Sequence, residues 1–139
     1  MSVSGFRELE VWRRSKALAV AVYRVTQTSA FARDIGFQSQ MREAAVSVPS
    51  NIAEGDERGS ARDMIKFLFI AKGSLAELQT QIEIAQDVGM LSSAQANPLL
   101  DESKDLNFAK LRKELARMLG GLIKAKSKII NPSRLMSNP

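Results

Sequence analysis

The sequence predicts an all-α domain: an antiparallel up-down-up-down four-helix bundle with a kinked second helix. Apolar residues recur three and four positions apart in four separate stretches, and no stretch alternates with period two for long enough to make a strand. Two of the stretches also keep an unbroken seam of alternating three- and four-residue steps, the pattern of helices packed side by side. Short connections between the four then favour antiparallel neighbours. The bundle is expected to occupy residues 1–131 and a disordered tail residues 132–139.

The first helix is expected over about residues 9–27. Val11, Leu18, Val22 and Val25 form its apolar stripe, flanked by Trp12, Ala19 and Tyr23, while Arg13, Arg14 and Arg24 lie on the other side. Thr26, Thr28 and Ser29 weaken it. The second, over about 37–54, places Phe37, Met41, Ala45, Val48 and Ile52 on one face. Pro49 removes a backbone donor and crowds the carbonyl four residues back, so a kink is expected near Ala45 to Val48. Gly55 to Gly59 reads as a charged loop. Ser60 then caps the third helix, over about 60–88, with Asp63 completing a short capping box.

The seam of this third helix is Met64, Leu68, Ala71, Leu75, Leu78, Ile82 and Ala85, and Gly89 ends it. It is more apolar than one bundle contact requires, because Phe67, Ile70, Ile84 and Val88 lie to one side of the seam and Phe69 to the other. The helix is therefore either central or also an oligomer surface. The fourth helix is expected over about 97–130, with Asn97 as cap, Pro98 at the first helical position and a stop at Asn131-Pro132. Phe108, Leu111, Leu115, Met118, Leu122, Ala125 and Ile129 form its seam. Gly120-Gly121 costs this helix roughly 2 kcal/mol relative to two alanines, which close packing would have to offset.

Composition excludes much chemistry. The 139 residues, 45% apolar and 25% charged, suit one soluble domain that needs no metal or disulfide to hold it together. The chain has no Cys and no His, so zinc fingers, most catalytic zinc sites, and Ser/His or Cys/His nucleophilic triads are ruled out. The di-metal sites of four-helix bundles require Glu-x-x-His on two helices. An all-carboxylate site from Glu43, Glu54, Glu77 and Glu83 is disfavoured because Glu77 and Glu83, six residues apart, face different ways. No P-loop is present, since the glycines of Glu54-Gly55-Asp56-Glu57-Arg58-Gly59 sit among acids. The expectation is no cofactor and no enzyme activity. No early apolar run is long enough to span a bilayer, and the start lacks a basic leader, so no membrane partner and a cytoplasmic location are expected.

Charge is unevenly spread. Residues 1–29 carry five basic and two acidic groups, residues 30–109 seven and twelve, and residues 110–139 eight and one, for a total of +5. This points to an anionic partner or to pairing between segments. At 100° per residue, Lys110, Lys113, Arg117, Lys124 and Lys128 fall within an arc of about 60°, away from the Leu111/Leu115/Leu122 seam. Such a stripe is either a solvated helix face or a surface that tracks phosphates without reading bases. Repeated copies in an oligomer would join the stripes into one field. Ser47, Ser50, Asn51 and Glu54 near the proline, and Ser74, Glu77 and Gln81 on the third helix, read as structural groups that satisfy backbone and fix register. Gly73 and Ser74 read as small residues that admit a neighbouring helix.

Three segments carry a family likeness. Phe6-x-x-Leu9-x-Val11-Trp12, Ala44-Ala45-x-Ser47-Val48-Pro49-Ser50-Asn51-Ile52-Ala53-Glu54-Gly55, and Phe67-Leu68-x-Ile70-Ala71-x-Gly73-Ser74-Leu75-x-Glu77-Leu78-x-Thr80-Gln81 resemble the 23S rRNA intervening-sequence proteins, the bacterial "four helix bundle protein" family. The resemblance covers about residues 6–128. It implies a four-helix bundle that assembles into a ring-like homopentamer without known catalysis. Some members are encoded inside insertions in large-subunit rRNA genes, and similar proteins assist the reverse transcriptases of diversity-generating retroelements, where a basic barrel contacts nucleic acid and polymerase. The shared positions are Ser47, Pro49, Asn51, Glu54, Gly55, Gly73, Ser74, Glu77 and Gln81. Met90 follows Gly89 where the family often has an aromatic residue, a difference expected to alter packing only.

The sequence thus reads as a non-enzymatic homo-oligomer, a pentamer by resemblance, holding RNA or DNA backbone on Lys110, Lys113, Arg117, Lys124 and Lys128, with Arg13, Arg14 and Arg24 as further contacts and a polymerase or other protein as a partner. The alternative is a scaffold whose basic face docks an acidic protein.

Overall fold

The computed structural model describes residues 5–101 and 107–137, with side chains through Ala125. Every regular element among these residues is helical: a 3-10 turn at Gly5–Glu8, then α1 (Glu10–Val25), α2 (Ser29–Ala32), α3 (Ile35–Glu57), α4 (Ala61–Asp87), α5 (Ser93–Leu100) and α6 (Phe108–Ser137). The four predicted helices are thus six among the described residues, four long and two short.

α1 buries Val11, Leu18 and Val22 of the predicted stripe together with the flanking Ala19, leaves Val25 half-buried, and ends where the Thr26 hydroxyl turns back to donate to the Val22 carbonyl at 2.7 Å. Thr26 then ties the end of α1 to α3. Its carbonyl accepts from Gln38 Nε2 at 2.8 Å and its hydroxyl from Arg42 Nε at 3.0 Å. The sequence reading missed α2, whose four residues are too few to show a period. The short helix buries Phe31 completely and stacks it on Phe37, with ring centroids 6.2 Å apart.

α3 starts two residues earlier than expected, where Asp34 Oδ1 accepts from the Phe37 amide at 3.2 Å. The helical backbone continues through the buried Pro49 and on through Gly55 to Glu57, so Gly55 does not open the loop as predicted. The turn belongs to Gly59, at φ +77°, while Gly55 is needed for contact. A Cβ there would lie 2.9 Å from both Met64 Sδ and Phe67 Cβ on α4. The glycines of α6 differ, because nothing lies within 4 Å of a Cβ at Gly120 or Gly121, and close packing does not offset their cost as the sequence suggested. Gly55→Ala is therefore expected to destabilise by about 1–2 kcal/mol despite alanine's helix propensity, whereas Gly121→Ala stabilises by about 1 kcal/mol. Urea melts of the two variants would check this. Equal stabilisation by both would mean that α3 and α4 do not approach at Gly55.

Ser60 caps α4 as predicted, accepting from the Asp63 amide at 3.1 Å. All seven seam residues from Met64 to Ala85 are buried. The predicted fourth helix needs correction at both ends. Asn97-Pro98 is not its start: Ser92 and Gln95 form a full capping box that opens α5, Pro98 lies inside α5, and Asp101 leaves in extended conformation. Asn107 opens α6, its Oδ1 accepting from the Lys110 amide at 2.7 Å. At the far end the helical backbone of α6 passes Asn131-Pro132 and reaches Ser137, although a proline there removes a backbone donor and crowds the preceding turn. The tail read over 132–139 is thus helical backbone to Ser137, and its last two residues lie outside those described.

α3 packs against both α1 and α4, α4 against α6, and α6 against α1, so the four long helices surround a single core. Leu18, Met41, Ile52, Leu68, Leu75, Leu78 and Leu115 are fully buried in it. Along α6 the seam holds at Phe108, Leu111 and Leu115, is half-buried at Met118 and Leu122, and is exposed at Ala125; Leu119 is buried as well. Ile129 lies outside the described side chains. The seam fades for a geometric reason: Met118 and Leu122 already border Gly59, Ser60 and Met64 at the first turn of α4, so α6 runs past the end of that helix.

Candidate nucleic-acid interface

The basic residues of α6 lie on its outer side. Leu111, Leu115 and Leu119 hold the inner side in the core, and Lys113, Arg117 and Lys124 are exposed half a turn away from them. At 1.5 Å per residue, Lys113 to Lys124 spans about 16 Å of rigid rod. Lys110 belongs to the first turn and is half-buried, and the Lys128 side chain lies outside those described. Arg117 shares a shallow depression with Glu10 and Glu114, whose carboxylates temper the positive field at that end of the stripe.

Two of the three α1 arginines already have partners in the chain, Arg14 half-buried between α1 and α6 and Arg13 at the surface. Arg14 Nε lies 2.9 Å from a Glu114 carboxylate oxygen and 3.3 Å from Glu10, so it clamps α1 to α6. Arg13 donates to the Arg7 carbonyl at 2.9 Å and pairs with Glu10 at 3.1 Å. A guanidinium held in this way is a poorer phosphate ligand, because a new contact must first break an existing one. Arg24 remains exposed, but beside a groove between α1 and α3 rather than near the α6 stripe. The structure therefore does not gather the eight predicted basic residues on one surface.

The polar motif behaves as a clamp between α3 and α4. Ser47, Asn51 and Gly55 occupy successive turns on the side of α3 that faces α4. The Ser47 and Ser74 hydroxyls share a hydrogen bond of 2.7 Å across the two helices, and Asn51 Nδ2 donates to the Ser47 carbonyl at 2.7 Å and its hydroxyl at 2.9 Å. Glu54 forms a surface pair with Arg58 at 3.0 Å. Such groups set the register of two helices. No helix of this chain makes use of Gly73 among the described residues, since a Cβ there meets nothing within 4 Å. Glu77 is exposed beside it and accepts a long hydrogen bond of 3.5 Å from Gln81 Nε2; Gln81 itself is 7% exposed.

The sequence reading missed the groove between α1 and α3, about 490 Å³, lined by Ala19, Val20, Tyr23, Val46 and Pro49 and edged by Lys16 and Arg24. Arg42 lies 4.5 Å from the centre of the Tyr23 ring and fixes that ring at the groove's rim. The available signal was the position of Val20, Tyr23 and Val46 off their helices' core stripes. Among the described residues no cluster of three or more acidic side chains is placed to hold a metal ion, and no helix is long and apolar enough to cross a membrane.

No curated protein matches the chain. The model of one family does, over residues 7–119, the stretch that contains the α3–α4 clamp and most of the α6 stripe. With four-fifths of its length matched, the chain belongs to the 23S rRNA-intervening sequence protein family.

Proposed function

We propose that this chain is a cytoplasmic, non-catalytic homo-oligomer of five copies that holds the backbone of RNA or DNA on the outer face of α6, as an accessory to an rRNA- or reverse-transcription-related process. The observation that carries the reading is the exposed line of Lys113, Arg117 and Lys124 on a face opposite the core. Cations at fixed spacing on a rigid helix, with no aromatic or amide side chains between them, suit phosphate contact without base readout. Family membership supports the assembly, as do the apolar side chains left exposed on α1, α3 and α4.

The reading includes an antiparallel up-down-up-down order for the long helices. Paired contacts that move in opposite directions along the chain support it. Ser47 meets Ser74, whereas Gly55, two turns later on α3, meets Met64 and Phe67, more than a turn earlier on α4. Likewise Arg14 meets Glu114, while the residues at 9 and 11 border Arg117 and Met118.

The test is light scattering of the purified protein, followed on the same sample by binding of a labelled structured RNA and a matched DNA duplex at low salt. A mass five times the 15.3 kDa chain, with retention of either probe, is the expected result. An assembly that binds neither probe would shift the reading to a scaffold for an acidic protein, and a monomer would remove the assembly itself.

A further inference from the structure

Six of the nine exposed large apolar residues among those described fall on two separate faces that differ in the charge at their centre, while Ile35, Phe69 and Ile123 lie elsewhere. On α4, Ile70, Ile84 and Val88 are 43%, 47% and 64% exposed, and with the exposed Glu77 they line one side of the helix at spacings of seven, seven and four. Asp87 flanks the Val88 end and the exposed Lys66 lies one turn before Ile70, so Glu77 sets the charge at the middle of the face. The second face is the groove between α1 and α3, where Val20, Tyr23 and Val46 are each 41% exposed and Lys16 and Arg24 stand at the edges. Among the described residues nothing covers either face.

We infer that the α4 face of one copy docks into the α1–α3 groove of the next, with Glu77 set against Lys16 and Arg24. This inference rests on the self-association proposed above and specifies its contacts. Charge selects the pairing. Two α4 faces brought together about a two-fold axis through their midpoint would oppose Glu77 with Glu77, and two grooves would bring four cations together. Docking the middle of the α4 face, at Glu77, against the groove's Lys16 and Arg24 removes both conflicts and buries apolar surface on each side. Glu77 lies at the middle of the α4 face, and the open space above Gly73, one turn away, lets a neighbouring helix come close there. Because the two faces differ, the contact is head-to-tail, so every copy gives one face and receives another, as closed rings require.

The experiment is a charge exchange read by light scattering and sedimentation, with helicity followed by circular dichroism. Glu77→Lys alone, and Lys16→Glu with Arg24→Glu, should each raise the dissociation constant of the assembly at least about tenfold. The triple variant carrying all three substitutions should restore it. Unchanged mass in both partial variants, or a triple variant that stays dissociated, would overturn the pairing while leaving self-association standing. A wild-type monomer would overturn both. Should a partial variant lose helicity, Val46→Cys and Ile84→Cys keep the test open, since the protein has no other cysteine. The double cysteine variant should form a ladder of disulfide-linked species under oxidation and each single variant none; dimers from either single variant would instead mean a two-fold contact.

Discussion

Replacing Lys113, Arg117 and Lys124 together by glutamate is expected to weaken nucleic-acid binding at least about 100-fold at physiological salt, with helicity and assembly mass unchanged. The three reversals lower the net charge of the chain by six, from +5 to −1, and concentrate that change on one helix face. All three side chains are exposed and none lies in the core, so the cost to folding should stay within about 0.5 kcal/mol per site. The loss should be alike for different sequences, because phosphate contacts carry no base information. Gel-shift titrations of the wild-type and variant proteins against one RNA and one duplex would measure it. Full retention by the variant would make the stripe an ordinary solvated face.

Leu75→Asp is expected to leave no folded protein. Leu75 is wholly buried at the middle of α4, where the core residues of the other long helices converge. Truncating a core leucine already costs about 2–5 kcal/mol, and a carboxylate without a partner adds several more, against a total stability of about 5–15 kcal/mol for a domain of this kind. Leu75→Met, which nearly keeps the volume, should cost less than about 1.5 kcal/mol. Circular dichroism on heating would show no cooperative transition for the aspartate variant and a near-normal one for the methionine variant. A cooperative melt of Leu75→Asp would mean that the α4 seam does not face the core.

What could be read from the sequence followed the length of its signals. The α4 seam was legible because seven positions repeat one pattern, and each is buried. α2 was not, since four residues cannot display a helical period. The start of α6 was misplaced because Asn97-Pro98 imitates a helix start, while the stronger box at Ser92 and Gln95 opens a different, short helix. Gly55 looked like a stop because a sequence does not distinguish a glycine required for positive φ from one required for contact; the contact partners, Met64 and Phe67, lie on the next helix.

The same division holds at the candidate site. The α6 stripe depends only on spacing along one helix, so it could be read directly. The pairing of Arg14 with Glu114 joins residues one hundred positions apart, and only the fold brings them together. The α1–α3 groove likewise draws Tyr23 and Val46 from two helices, each off its own core stripe.

The central claim, that α6 holds nucleic-acid backbone by charge, is tested most directly by the salt dependence of binding. The affinity of the wild-type protein for a DNA duplex would be measured between about 50 and 200 mM salt, alongside the Lys113/Arg117/Lys124 charge-reversal variant. Each phosphate contact contributes about 0.9 to the slope of log affinity against log salt, so three contacts per copy predict a slope of about −2.7 or steeper, largely lost in the variant. A wild-type affinity that stays flat over that range, or a slope the variant leaves unchanged, would contradict the account.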